Sequence, residues 1–222
     1  MASSSQLSEI NSGGRIHSNS SSNTERQFRE CVADAFDEIR RRYPEETFLH
    51  RRRFSNRDLV DVLSSRGLSH VSPSAGGKGG CSPDGGVISV QTVSGAWLPV
   101  FIGENKWQEA NAGNAVERAV KNVVFFQHLL VAHDYFPYMI NLNGGIADSR
   151  YGTLFDRVSM VGGFMPLNRV FVRGNPAEPR VRPFSFFVSE QFDREAIYPA
   201  ILQVVDESVV YLREVGELRP AK

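Results

Sequence analysis

The chain has 222 residues, of which 25 are basic and 25 acidic, so its formal net charge is zero. This balance excludes a protein that binds nucleic acid by bulk positive charge alone, although basic residues gathered on one face are compatible with such binding. With 41% hydrophobic residues and fifteen Phe, the chain can build the core of one sizeable domain. No apolar run is long enough to span a bilayer or to form a signal peptide. We therefore expect a soluble, cytoplasmic protein that does not act at a membrane.

The N-terminal segment differs in composition from the rest of the chain. Residues 1–23 are rich in Ser, Asn and Gly, which predicts a disordered tail, and residues 24–222 are left as a single domain. Ser22 and Glu25 have the spacing of a capping box, and the apolar residues behind them recur at helical intervals. A helix is therefore predicted to begin there and to end before Pro44. Cys31 lies on its apolar face and is predicted to be a buried free thiol.

Two arginine runs follow the start of this helix. Residues 40–42 lie in its last predicted turn, where cations complement the helix dipole, and residues 51–53 form a second run. Phosphate contacts and a solvated surface are both compatible with these six side chains.

Hydrophobic periodicity predicts the remaining elements as an alternation of strands and helices. Strands are predicted at 87–93 and 98–102, joined by a turn at Ser94 and Gly95, and further strands at 136–142, near 170 and at 181–188. Helices are predicted from Ser55 or Asn56 to Leu63, and at 114–132, 153–160 and 194–214. Pro199 allows the last helix to begin closer to the proline.

Three polar residues flank the predicted hairpin. Asp84 follows Pro83 at the start of its first strand, and Glu104 and Lys106 lie at the end of its second strand. Because Glu104 and Lys106 are two residues apart, a strand projects both from the same face, and hairpin pairing can bring Asp84 beside them. Two carboxylates and one ammonium suit a divalent cation with a basic group next to a bound water. A surface salt bridge is the alternative interpretation.

A second group of polar residues follows directly. Gly113 and Asn114 provide a helix N-terminus with free N–H groups. Asn114 and Arg118 are four residues apart and share one helix face, and both side chains suit bidentate contacts with purine edges. An N-cap Asn and an Arg paired to a carboxylate such as Glu117 are the structural alternative.

Together these motifs resemble those of a known enzyme family. The sequence PDGG at 83–86, ENK at 104–106 and AGNAVERAVKN at 112–122 resemble the EcoRI family of type II restriction endonucleases, which belongs to the PD-(D/E)xK nuclease class. The resemblance also covers YPEETFLHRRRFSNRDLVDVL at 43–63 and HDYFPYMINLNGG at 133–145, and thus most of the chain after about residue 25. It implies an α/β fold of the PD-(D/E)xK type, with a central mixed β-sheet of about five strands flanked by helices.

The resemblance also implies roles for the first group of residues. Asp84 and Glu104 are expected to bind Mg²⁺ together with the main-chain carbonyl of Asn105. Lys106 is expected to orient or deprotonate the attacking water. In-line attack on phosphorus then leaves a 5′-phosphate and a 3′-hydroxyl. The side chain of Asn105 needs a partner or a water on the opposite face of the strand.

For the second group the resemblance implies DNA recognition. Gly113, Asn114, Ala115 and Arg118 match the family segment that reads an AATT core, and Arg157 matches a further arginine near the major groove. Double-stranded DNA is the expected partner, cut with 5′ overhangs by a homodimer whose two-fold axis coincides with that of a palindromic site. A cognate DNA methyltransferase is the expected functional companion.

The chain departs from the family between the two groups. Only residues 107–112 separate ENK from GNA, where the family's namesake has a long insertion. Two other functions stay open from the sequence: a repair or structure-specific nuclease of the same fold, and a DNA-binding module without catalysis.

Overall fold

The computed structural model describes residues 4–65, 79–107, 122, 125–126, 136–143, 171–172, 175–176, 184–189 and 191–221. Its long helices are α1 (Ser4–Arg42), α2 (Asn56–Ser65) and α3 (Arg194–Glu214). The strands are β1 (Phe48–Arg51), β2 (Phe54–Ser55), β3 (Gly80–Cys81), β4 (Gly86–Gln91), β5 (Trp97–Trp107), β6 (Tyr138–Asn143), β7 (Phe171–Val172), β8 (Asn175–Pro176) and β9 (Phe184–Ser189). Residues 122, 125 and 126 are also helical.

The described strands form one large mixed sheet and one small one. The large sheet has seven strands in the order β1-β4-β5-β6-β9-β7-β8, and β2 pairs with β3. β4 is antiparallel to β1 and β5, whereas β6 is parallel to β5 and β9. Because β7 and β8 have two residues each, the sheet has five longer strands, which confirms the predicted α/β fold with about five strands flanked by helices.

The predicted hairpin and the predicted last helix agree with the structure, whereas β1, β2, β3 and β8 were not predicted. The hairpin is formed by β4 and β5, with Gly95 at positive φ in its turn. The last helix spans 194–214 as predicted. Its alternative start near Pro199 is wrong, because the Asp193 side chain accepts the Ala196 N–H at 3.1 Å and caps the helix earlier. The predicted helix at 153–160 lies outside the described residues.

The first helix ends at Arg42 as predicted, but its start differs. α1 begins at Ser4, so residues 4–22 extend the helix before the predicted cap at Ser22. Extending an existing helix adds a hydrogen bond for each residue fixed, whereas starting one is costly, so a capping box does not have to mark the start. That residues 1–23 are a disordered tail, and 24–222 one domain, stays a prediction.

Helices α1 and α3 pack against each other and against β5. The core is built from the apolar faces of both helices and from the middle of the sheet, with Phe28, Ile39, Phe101, Ile140 and Val205 fully buried. The free thiol of Cys31 is also buried, as predicted, and burial raises its pKa to about 11. Among the described residues, no helix combines the length and apolarity needed to cross a membrane.

The Pro83–Gly86 turn at the start of β4 is held from two sides. The Gly86 N–H donates to the Pro83 carbonyl at 2.9 Å, and the Gly85 N–H donates to the Gly103 carbonyl of β5 at 2.8 Å. Gly86 has φ +76°, and a Cβ there would lie 2.5 Å from the Arg51 carbonyl oxygen. A side chain at Gly86 is therefore excluded both by backbone conformation and by the neighbouring strand.

This double constraint predicts the effect of Gly86→Ala. Positive φ costs a non-glycine residue roughly 1–2 kcal/mol, and forcing a methyl into a filled site adds about 1–3 kcal/mol. The matched control is Gly95→Ala, because Gly95 has φ +85° and a Cβ there would have nothing within 4 Å. Urea unfolding should show a clearly larger loss of stability for Gly86→Ala than for Gly95→Ala. Equal losses in the two variants would contradict the contact with β1.

Candidate active site

Asp84 lies in the Pro83–Gly86 turn and points towards the end of β5. One of its carboxylate oxygens, Oδ2, accepts the Asn105 main-chain N–H at 3.1 Å and a hydrogen bond from Lys106 Nζ at 2.6 Å. The ring nitrogen Nε2 of His50 lies 2.9 Å from the Gly85 carbonyl oxygen and contacts the same turn. The Asp84 side chain is 21% exposed, so its position is fixed by the protein while it keeps access to solvent.

Glu104 and Lys106 project from one face of β5, as the sequence predicts. Lys106 Nζ forms ion pairs with Oε1 of Glu104 and with Asp84. The Glu104 side chain is 1% exposed and the Lys106 side chain 12% exposed. The three predicted catalytic residues are thus brought together, with the ammonium between the two carboxylates.

The second oxygen of Glu104 is bound by a residue that the sequence reasoning missed. Asn122 Nδ2 donates to Glu104 Oε2 at 2.9 Å, and Asn122 Oδ1 accepts a hydrogen bond from Cys81 Sγ at 2.7 Å. Asn122 is the last residue of the AGNAVERAVKN segment. The spacing of the segment could have pointed to Asn122. Asn114, Arg118 and Asn122 follow one another at intervals of four residues, which places them on the same face of the predicted helix.

The opposite face of β5 carries a buried amide cluster. The Asn105 side chain accepts a hydrogen bond from Asn141 Nδ2 at 2.7 Å, and the same Nδ2 lies 2.9 Å from Asn143 Oδ1. All three asparagines are fully buried. The expectation that Asn105 needs a partner on the far face is therefore confirmed, and the partner is Asn141 of β6.

Burial and charge shift the pKa values of this site. Burial raises the pKa of Glu104 from 4.5 to about 7; Asp84 also raises it, while Lys106 opposes the shift. For Lys106, burial lowers the pKa but the two carboxylates outweigh burial, so the net shift is upward. Lys106 is therefore protonated at neutral pH in this arrangement. A cluster of ionisable groups with perturbed pKa values is typical of functional sites.

The geometry is compatible with a divalent cation. Oxygens of Asp84 and Glu104 contact one ammonium, so both carboxylates already converge on a single positive charge. Among the described residues there is no group of three or more His, Cys, Asp or Glu side chains that could hold a metal ion. The two carboxylates would therefore need a main-chain carbonyl, water or phosphate oxygen to complete the ligand set, which is usual for Mg²⁺.

One arginine of each run forms ion pairs within the protein. Arg51 pairs with Asp58 at 2.6 Å, and Asp58 also forms a reciprocal capping box with Ser55 at the start of α2. Arg42 pairs with Glu38 and with Asp206 of α3, each at 3.0 Å. These two arginines therefore have an intramolecular role, and phosphate contacts by the two runs stay a prediction.

The predicted DNA-reading residues Gly113, Asn114, Ala115, Arg118 and Arg157 all lie outside the described residues. Their roles therefore stay predictions. Of the link at 107–112, where the chain departs from the family pattern, only Trp107 is described, as the last residue of β5.

A mixed sheet with Asp84, Glu104 and Lys106 converging at the end of a central strand is the architecture of the PD-(D/E)xK class. Residues 11–149, more than half of the chain, match the family model described as "Restriction endonuclease EcoRI". The chain belongs to this family, which confirms the resemblance drawn from the motifs.

Two curated relatives match parts of the chain. The type II restriction enzyme EcoRI of Escherichia coli is 25% identical over 127 residues, covering 46% of this chain and 44% of the relative. The type II restriction enzyme RsrI of Cereibacter sphaeroides is 30% identical over 82 residues, covering 28% of this chain and 30% of the relative. The chain thus spans less than half the length of each of these relatives.

The raised pKa of Glu104 predicts how stability depends on pH without metal. Between pH 4.5 and about 7 the folded state holds a proton on Glu104 that the unfolded state has lost, so this group's contribution to stability falls as pH rises. The shift corresponds to an effect on the order of 3 kcal/mol. Unfolding measured with a chelator should show Glu104→Gln gaining stability relative to the native chain from pH 5 to 8.

The matched control is Asp37→Asn, which removes an exposed carboxylate from α1. The difference in the free energy of unfolding between Asp37→Asn and the native chain should be constant over the same pH range. A constant difference for Glu104→Gln as well would show that burial does not raise the pKa of Glu104.

Proposed function

We propose that this chain is a Mg²⁺-dependent type II restriction endonuclease that cuts both strands of palindromic DNA with an AATT-like core. The observation that carries the proposal is the convergence of Asp84, Glu104 and Lys106 on one face of β5 in a member of the EcoRI family. Both relatives are named type II restriction enzymes.

In this proposal Asp84 and Glu104 hold Mg²⁺, joined by the main-chain carbonyl of Asn105. When bound, the ion supplies positive charge that offsets the negative charge developing on the phosphate. Burial of Glu104 supports this role, because a carboxylate removed from water interacts more strongly with a cation. Asp84 keeps partial exposure, which leaves the site open to a DNA phosphate.

Lys106 is assigned to the attacking water. Its ammonium lies between the two proposed metal ligands, and its raised pKa keeps it protonated. A protonated Lys106 can orient the water by donating hydrogen bonds, and a Lys106 that has lost its proton can help to deprotonate it. The water oxygen bonds to phosphorus as the bond from phosphorus to the 3′ oxygen breaks. The water gives up one proton and the 3′ oxygen takes one up, so the products carry a 5′-phosphate and a 3′-hydroxyl.

Base recognition is assigned to the segment after the catalytic strand. Gly113, Asn114, Ala115 and Arg118 are proposed to read the AATT-like core, with Arg157 contributing a further contact. A homodimer would place two such segments on the two halves of a palindrome and yield 5′ overhangs. Such an enzyme acts in the cytoplasm, with a DNA methyltransferase as its functional companion in protecting the host site.

Digestion of plasmid DNA tests the catalytic assignment. The native chain with Mg²⁺ should yield discrete bands, and sequencing of their ends should show one palindromic site with 5′ overhangs. Lys106→Ala should reduce the rate by at least about 100-fold because it removes the group that orients the water. Its affinity for the same DNA in Ca²⁺, measured by gel shift, should change little.

Arg29→Ala is the matched control, because it removes an exposed cation from α1. A smear of products from the native chain would argue against site-specific cleavage. Undiminished Mg²⁺-dependent cleavage by Lys106→Ala would overturn the role given to the lysine.

Asn114→Ala and Arg118→Ala separate a restriction enzyme from a nuclease without base-specific contacts. Each variant should bind the cognate site about tenfold or more weakly, because a bidentate base contact is lost. Binding to unrelated DNA of the same length should change much less. A nuclease that repairs DNA or recognises its shape would keep its cleavage pattern in both variants.

A further inference from the structure

We propose that Asn122 is a positioning residue that holds the Glu104 carboxylate from the DNA-reading segment, and that Cys81 fixes the orientation of Asn122. This inference rests on the proposed function and deepens it. It is carried by two hydrogen bonds: Asn122 Nδ2 to Glu104 Oε2 at 2.9 Å, and Cys81 Sγ to Asn122 Oδ1 at 2.7 Å.

The two oxygens of Glu104 have different partners. Oε1 faces the Lys106 ammonium and Oε2 receives the Asn122 amide, while the side chain is 1% exposed. Water therefore has little access to replace a lost partner. Without the amide donor, Oε2 would be a buried charged oxygen with an unsatisfied hydrogen bond, and the carboxylate would be free to rotate.

The thiol of Cys81 determines which end of the amide faces the carboxylate. A side-chain amide carries a donor group and an acceptor, and a thiol can donate to the acceptor. With the Cys81 S–H donating to Oδ1, the NH₂ group of Asn122 is directed at Glu104. The reversed amide would place its oxygen against the carboxylate, which is repulsive.

Cys81 is itself held firmly beside the other proposed metal ligand. It is 4% exposed, pairs with Phe54 in the small sheet, and precedes Asp84 by three residues. The contact with Asn122 thus joins the segment leading into Asp84 to the carboxylate of Glu104. One amide connects both sides of the cation site.

Asn122 also belongs to the segment proposed to read DNA. It is helical, and it follows Arg118 by four residues and Asn114 by eight. In the helix predicted for 114–132 these positions share one face. If that predicted helix carries both the side chains proposed to contact bases and the one that holds Glu104, its position on DNA affects the orientation of Glu104.

Asn122→Ala tests this role by separating binding from cleavage. Single-turnover cleavage at saturating DNA should fall by about 10- to 100-fold, as expected for loss of a hydrogen bond to a charged group. Affinity for cognate DNA in Ca²⁺ should stay within about threefold, because no base contact is removed. Mn²⁺ should bind more weakly to the complex with DNA carrying an uncleavable linkage, measured by electron paramagnetic resonance.

Cys81→Ser and Cys81→Ala form a matched pair. Cys81→Ser keeps a donor for Asn122 Oδ1 and should cleave at a rate close to that of the native chain. Cys81→Ala lacks this donor and should cleave several-fold more slowly. Cys31→Ala is the control for loss of a buried thiol elsewhere in the core, and it should leave both cleavage and Mn²⁺ binding unchanged.

The outcomes are distinguishable from failure of the proposed function. If the native chain does not cut with Mg²⁺, the proposed function fails, and this inference fails with it. If the native chain cuts and Asn122→Ala cuts equally well, the positioning role alone is overturned. A parallel loss of DNA binding and cleavage in Asn122→Ala would also overturn it, since that pattern indicates a DNA contact or a general structural defect. Equal rates for Cys81→Ser and Cys81→Ala would remove Cys81 from the proposal.

Discussion

The ammonium of Lys106 is the interaction on which the proposed active site depends. A buried carboxylate without a partner costs several kcal/mol, and Glu104 is 1% exposed. Lys106 offsets that cost and at the same time pairs with Asp84 from a different segment of the chain. One cation therefore compensates two carboxylates and holds them close together. The same arrangement leaves Glu104 with a raised pKa, since burial outweighs the effect of its partner.

Side chains alternate along β5, so the residues proposed for catalysis lie on one face of the strand and the residues that pack against the core lie on the other. Glu104 and Lys106 face the site, whereas Gly103 and Asn105 face the other side of the sheet. A Cβ on Gly103 would lie 3.0 Å from the Phe28 ring, and a Cβ on Gly85 would lie 2.5 Å from it. Phe28 of α1 therefore packs directly over the two glycines that carry the Asp84 turn and the Glu104 strand. Because Phe28 contacts both segments, core packing holds them in position behind the site.

Much of this arrangement could be predicted from local patterns. The hairpin and the last helix follow from periodicity, and the placement of Glu104 and Lys106 on one face follows from their spacing of two. The start of α1 could not be predicted, because a capping box does not stop a helix that extends from downstream residues. Nor could the contacts made by Asn122, Cys81 and Asn141, since each of these residues lies between 18 and 41 residues from the side chain it contacts. Such contacts depend on tertiary packing, which single-sequence patterns do not report.

The buried amide pair behind the site has a consequence for register. Asn105 and Asn141 are direct partners in the parallel pairing of β5 and β6, and their side chains are hydrogen-bonded at 2.7 Å. A slip of one residue between the strands would separate the two amides and break their buried hydrogen bond, while turning Glu104 towards the helix side of the sheet. An apolar residue at position 105 would pack as well but would not distinguish these registers. Asn105, the middle residue of the Glu-Asn-Lys motif, therefore helps to specify the register of β5 against β6. Registers that exchange the catalytic face and the packing face of β5 are disfavoured because they lose this hydrogen bond.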